Sequence, residues 1–160
     1  MSAKRKADVA MPHEGEAGSA GYETDFYAWA NEQGALLRAG RFSAADIENI
    51  AEEIESLGRS EKRELVSRLA GLLLHLLKWQ FQPGLQSRSW KLSIVEQREA
   101  VESHLADNPS LKNQLQDCIR SAYGRAHIGV QRETGLSDKM FPTSCPYTFQ
   151  QMMDDDFWPT

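Results

Sequence analysis

The fold is decided by residues 65–81, which read LVSRLAGLLLHLLKWQF. Leucines from Leu65 to Leu77 recur at the spacing that places side chains on one face of an α-helix. Val66 and Leu74 widen this stripe until little of the helix circumference is polar, so we expect this helix to lie at the centre of the protein. The apolar run is far shorter than the roughly 20 residues that span a bilayer, which favours a core helix over a membrane span.

Signals that start and stop helices lie on both sides of this segment. Thr24 is suited to cap a first helix that ends at Gly40, and Gly58 is predicted to end a second helix. Since no run of alternating β-branched residues is long enough for a strand, we predict an all-α fold. It is a compact array of five or six helices with an irregular, aromatic C-terminal strap. The predicted helices cover residues 24–40, 43–58, 60–81, 88–107, 109–134 and, within the strap, 147–153.

The length of 160 residues is typical of one domain, and 41% hydrophobic with 26% charged residues is typical of a globular protein. Residues 1–21 are rich in alanine, glycine, serine and charge, and they have no apolar periodicity. We therefore predict a flexible N-terminal tail at 1–21 and a single all-helical domain at 22–160.

Charge and cysteine content restrict the compartment and the partners. The net charge of −5 has the wrong sign for a protein whose whole surface binds nucleic acid or anionic lipid. Cys118 and Cys145 are too few for a disulfide-linked scaffold, and the N-terminus has no apolar signal segment. These observations predict a cytoplasmic protein without membrane contacts.

Motifs of familiar enzymes and metal sites are not found in the sequence. No histidine has a glutamate three residues before it, as helical di-metal sites need, and there is no phosphate-binding glycine loop or nucleophile elbow. Pairs such as Glu52 and Glu55 share a helical face, a spacing that solvated charged faces produce often. We therefore predict no catalytic residue, no metal and no cofactor.

Four charged or titratable residues stand out because they lie beside apolar stripes: Glu53, His75, Lys78 and Arg98. A half-buried carboxylate at Glu53 needs a cation or hydrogen-bond donors, and the other three could supply them. One interpretation is a polar pocket with a pKa-tuned histidine. The other, which the sequence favours, is a buried structural ion-pair cluster.

Two further surfaces are candidates for binding. Residues 78–98 carry four basic side chains against one acidic, with tryptophans between them, which is compatible with a single-stranded nucleic acid. The sequence favours the alternative, in which the tryptophans belong to the core, because no recognised nucleic-acid motif is present. Phe157 and Trp158, near the C-terminus, are the candidate protein interface.

An ordered series of sequence blocks resembles the domain-of-unknown-function family numbered twenty-nine. The likeness covers about residues 22 to 159, and it implies a small bacterial, compact, all-helical protein without an assigned reaction or ligand. No site residue can be carried over from it. The blocks are YETDFYAW at 22–29, LRAGRF at 37–42, EIESLG at 53–58, HLLKWQ at 75–80, SW at 89–90, QR at 97–98, NPSL at 108–111, FP at 141–142, CPY at 145–147 and DFWP at 156–159.

The function that the sequence favours is a non-catalytic, cytoplasmic helical module that binds an unknown protein partner or a second copy of itself. The main alternative is an uncharacterised enzyme or small-ligand-binding protein with a polar pocket between helices. A third reading is weak nucleic-acid binding through residues 78–98, which the acidic charge disfavours.

Overall fold

The computed structural model describes residues 21–160, so the predicted flexible tail lies outside the described residues except for Gly21. Within 21–160 the structure contains five α-helices, short 3-10 turns and no β-strand, which confirms the predicted all-α class. The five helices are α1 (Phe26–Arg38), α2 (Ile47–Phe81), α3 (Arg88–Asp107), α4 (Leu115–Thr134) and α5 (Phe149–Met153).

The prediction that Gly58 ends a helix is wrong, because α2 runs through it without interruption for 35 residues. A glycine that ends a helix adopts a positive φ, and Gly58 does not. Good helix formers surround it, and ion pairs between Arg59 and Glu55 and between Arg68 and Glu64 join successive turns. A single helical glycine costs only about 1 kcal/mol, which the flanking turns offset.

The chain divides into two compact units, of which the first ends at Ile54 and the second spans Glu55–Thr160. In the first unit, Asp25 caps α1 in place of the predicted Thr24, and its side chain accepts a hydrogen bond from the amide of Ala28. Trp29 and Gln33 are the buried residues of α1. Both contact Asp46, which precedes α2. The indole of Trp29 donates a hydrogen bond to the carboxylate of Asp46, and the backbone amide of Asp46 donates one to the side-chain oxygen of Gln33.

The second unit contains the hydrophobic core. Leu65, Leu69, Leu72 and Leu76 are completely buried, so the prediction of a central helix is confirmed for this part of α2. The other elements of the unit contribute further buried apolar side chains: Ile94, Val101 and Leu105 from α3, Cys118, Ile119, Ala122, Tyr123, Ala126 and Val130 from α4, and Phe141, Tyr147 and Met152 from the C-terminal strap.

The buried face of α3 does not follow from hydrophobicity alone. Leu92 is apolar, yet its side chain is exposed. The buried positions are instead Ile94, Arg98, Val101 and Leu105, which follow one another at steps of four, three and four. A charged residue therefore occupies a core position of this helix.

Residues 136–160, which we call the strap, pack against the core through aromatic and sulfur-containing side chains. Tyr123 of α4 donates a hydrogen bond to the carbonyl oxygen of Pro142, and the hydroxyl of Tyr147 donates to Gln80 over 2.6 Å. Thr148 caps α5 with a complete capping box. Burial raises the pKa of both tyrosines, that of Tyr123 to about 12.

None of the helices in residues 21–160 combines the length and the apolar character that a membrane crossing requires.

Gly58→Ala tests the continuity of α2. Because Gly58 is helical and a methyl group there would meet no atom within 4 Å, we expect alanine to raise the free energy of unfolding by about 0.5–1 kcal/mol. Gly135→Ala is the matched control: Gly135 has a φ of 71° after α4, so alanine there should cost roughly 1–2 kcal/mol. Urea unfolding measures both, and a loss of stability in Gly58→Ala would contradict a continuous helix.

The raised tyrosine pKa values predict a loss of stability at high pH. The unfolded chain releases the Tyr123 proton near pH 10, whereas the native state holds it until about pH 12. Between these values the unfolded state binds fewer protons, so the free energy of unfolding falls as the pH rises. We expect Tyr123→Phe to lose less stability than the original protein from pH 10 to pH 12, and equal slopes in the two proteins would contradict this assignment.

Candidate functional site

Glu53 lies in the first unit and is half-buried. The hydroxyl of Tyr22 donates a hydrogen bond to its carboxylate over 2.5 Å, and this bond is the main reason why the pKa of Tyr22 is raised. Tyr22 also lies edge-on against Trp29, with ring centroids 4.8 Å apart. The observed partner of Glu53 is therefore an aromatic residue of its own unit.

His75 and Lys78 both lie on α2 in the second unit, and each has a separate partner. The Nδ1 atom of His75 donates to the carbonyl of Gly71 over 2.9 Å, because a carbonyl can only accept. The Nζ atom of Lys78 forms a 2.8 Å ion pair with Glu133 and lies 4.5 Å from the ring centre of Trp90. Both side chains are thus held by contacts that a structural role explains.

Arg98 is the buried charge of the second unit, with 3% of its surface exposed. Its Nε atom donates to the carbonyl of Met152 and its Nη2 atom to that of Phe157, each over 2.8 Å. Its guanidinium carbon lies 5.3 Å from the ring centre of Trp158. Burial lowers the pKa of Arg98, while the nearby Asp155 and Asp154 oppose that shift.

A cleft of about 670 Å³ opens beside Arg98, between α3 and the strap. We call it the Arg98 cleft. Its walls carry two cations, four carboxylates and three apolar side chains, which are Lys91 and Arg98, Glu99, Glu102, Asp155 and Asp156, and Val95, Met153 and Trp158. The Nη1 atom of Arg98 is buried and has no hydrogen-bond partner among residues 21–160.

Phe157 and Trp158, the predicted interface, are half-buried and packed against the core. Trp158 contacts the ring of Trp79, at 4.8 Å between centroids, and Phe157 contacts Tyr147 at 5.7 Å. The tryptophans at 79 and 90 are half-buried as well. Trp79, Phe157 and Trp158 therefore pack against other side chains of the second unit.

Exposed apolar side chains are concentrated in the first unit instead, which the sequence did not indicate. Ile47, Ile50 and Ile54 recur at the helical spacing that usually marks a buried face, but 54% of Ile47 and 63% of Ile54 is exposed. Helical spacing marks an apolar face without showing whether anything covers it. The exposed apolar residues of this unit are Phe26, Tyr27, Leu37, Phe42, Ile47 and Ile54.

The net negative charge of the chain is concentrated in the first unit. Residues 21–54 contain seven acidic side chains and two basic ones, so their net charge of −5 equals that of the whole chain. An exposed apolar surface with strongly acidic surroundings is therefore the main feature of this unit.

In the part of the chain that the structure describes, the two cysteines are buried to different degrees and belong to no group of side chains that could hold a metal ion. Cys118 is fully buried and Cys145 is half-buried, and burial raises the pKa of both thiols. Across residues 21–160, no group of three or more histidine, cysteine, aspartate and glutamate side chains is arranged to hold a metal ion.

Residues 22–158 match the family described as Domain of unknown function DUF29. This match covers the blocks from which the resemblance was drawn, except for Pro159. No curated protein and no solved structure matches the chain significantly.

Arg98→Met tests the structural part of the arginine's role. The substitution keeps an unbranched side chain but leaves the carbonyls of Met152 and Phe157 without their donor, so we expect a loss of about 2–4 kcal/mol in the free energy of unfolding. Arg88→Met, at an exposed position of the same helix, should stay within about 0.5 kcal/mol of the original protein. Equal effects of both substitutions in urea unfolding would show that the two buried hydrogen bonds of Arg98 do not contribute to the free energy of unfolding.

Proposed function

We propose that this chain, which belongs to the family described as Domain of unknown function DUF29, is a non-catalytic helical module that binds a protein partner through its first unit. One observation carries the proposal: the described part of this unit exposes six large apolar side chains and buries one, that of Trp29. Exposed apolar side chains that lie along one face typically mark an interaction site.

The small core of the first unit supports this interpretation. Trp29 is the one large apolar side chain that residues 21–54 bury, so this part of the chain has little core of its own. Full burial of a side chain such as isoleucine or phenylalanine contributes about 1.5–3 kcal/mol, so a partner that covers several of them would stabilise the unit substantially.

The geometry of α2 indicates how a partner would dock. Ile47, Ile50 and Ile54 follow one another at steps of three and four, so they lie along one face of the helix. We call this face the isoleucine seam. A second helix with apolar side chains at the same spacing can pack along such a seam, as in coiled coils and helix-in-groove complexes.

The charge of the unit favours one occupant, a partner helix whose apolar seam is flanked by lysine or arginine. Complementary charges speed association and select the partner, and like charges placed together oppose binding. A second copy of this chain would bring another unit with a net charge of −5 to the seam. We therefore assign the surface to a basic amphipathic helix of a different protein.

The test uses two synthetic helices with the same leucine seam, one flanked by lysines and the other by glutamates. We expect the full chain to bind the lysine peptide and not the glutamate peptide in fluorescence anisotropy. Ile54→Gln should weaken binding of the lysine peptide by about tenfold or more, because it removes one buried apolar contact. Ile128→Gln is the matched control, since Ile128 on α4 is equally exposed, at 67%, and lies in the second unit.

Three outcomes would overturn the proposal. They are equal binding of the two peptides, equal loss in Ile54→Gln and Ile128→Gln, and a dimer in light scattering that Ile54→Gln dissociates. The last would assign the seam to a second copy. Urea unfolding of both variants should agree within about 0.5 kcal/mol, as exposed positions predict, so that a binding loss is not a folding defect.

A further inference from the structure

Arg98, which lines the cleft, has a buried donor that its own unit does not satisfy. Two of the guanidinium nitrogens of Arg98 bind carbonyls of the strap, and the third, Nη1, has no partner among the described residues. An unsatisfied buried donor on a charged group is costly, and such groups are rare in folded proteins. An acceptor that arrives from outside would remove this cost.

A carboxylate is the acceptor that suits a guanidinium best, because the hydrogen bond is then assisted by charge. A second cation supports it: Lys91 lines the same cleft, and its Nζ atom lies 5.3 Å from the ring centre of Trp158. The indole of Trp158 is thus shared by Lys91 and Arg98, which places both positive groups around one aromatic wall.

A simple anion would nevertheless be repelled by the cleft as a whole. Glu99, Glu102, Asp155 and Asp156 outnumber the two cations, so the lining carries a net charge of −2. A ligand must therefore bring positive groups along with its carboxylate. Two ammonium groups and one carboxylate give it a net charge of +1, opposite to that of the lining.

We propose that the Arg98 cleft binds a small molecule with one carboxylate and two ammonium groups, as a basic amino acid has. The carboxylate accepts from Nη1 of Arg98, which a small shift of the side chain must open to the cleft because the atom is closed to solvent in this structure. The ammonium groups interact with Glu99 on α3 and with Asp155 on the strap. The methylene chain between these groups lies against the apolar wall of Val95 and Trp158. The volume of about 670 Å³ falls within the range of roughly 300–1,000 Å³ that is usual for small-molecule sites.

This site differs in place and chemistry from the isoleucine seam, since every residue that lines it belongs to the second unit. Its outcome is therefore independent of peptide binding by the first unit. It also gives Arg98 two roles: Nε and Nη2 hold the strap, and Nη1 is left for the ligand.

The experiment compares L-lysine with cadaverine, which is lysine without its carboxylate, by isothermal titration calorimetry on the full chain. We expect saturable binding of L-lysine and binding of cadaverine that is about tenfold weaker or more, because the lost hydrogen bond to the buried guanidinium outweighs the additional attraction between the extra net positive charge of cadaverine and the exposed carboxylates. This comparison leaves Arg98 in place, so the result does not depend on a variant that loses its fold.

Glu99→Gln and Glu96→Gln complete the test, since both remove one exposed carboxylate from α3 and only Glu99 lines the cleft. We expect Glu99→Gln to weaken L-lysine binding by about fivefold or more and Glu96→Gln to leave it within about twofold. No saturable binding of L-lysine, equal binding of cadaverine, or equal effects of the two substitutions would each overturn the proposal.

Discussion

Two hydrogen bonds from Arg98 to the carbonyls of Met152 and Phe157 join α3 to the C-terminal strap. The strap has one short helix, so its carbonyls need donors from elsewhere. A guanidinium supplies several from one side chain in a fixed geometry. Burying that charge is costly, and the cost is offset by the two carbonyls, the indole of Trp158 and the nearby aspartates. The position of the strap, and with it the wall of the Arg98 cleft, depends on this arrangement.

The two ends of α2 show opposite relations between sequence and burial. Apolar residues recur at helical spacing along both ends, but Leu65 and Leu76 are fully buried while Ile47 and Ile54 are exposed. The leucine end is covered by the other elements of the second unit. In the first unit, α1 and the turn that follows it leave much of this apolar face exposed. An apolar face that its own unit leaves exposed is the strongest reason to look for a partner there.

Much of the fold could be predicted from the sequence, because local rules are sufficient for it. Leucine spacing identifies the core part of α2, and Gly135 ends α4 with a positive φ as a C-terminal glycine does. Gly58 could not be interpreted in the same way, since a glycine is compatible with both a helix end and a helix interior. Burial of Arg98 depends on carbonyls more than fifty residues away, which no local pattern reveals. The same limit applies to Ile54, whose exposure depends on the absence of a covering element in its unit.

Charge acts in different ways at the two proposed sites, and this difference follows from burial. Around the isoleucine seam the acidic groups are largely exposed, so salt screens them beyond about 8–10 Å and they mainly influence encounter and partner choice. Affinity there must come from the apolar contacts. At Arg98 the guanidinium is buried, where a charged hydrogen bond is screened much less and the unsatisfied Nη1 raises the gain from a suitable acceptor. The two proposals therefore rely on different forces, apolar contact in the first unit and charge in the second.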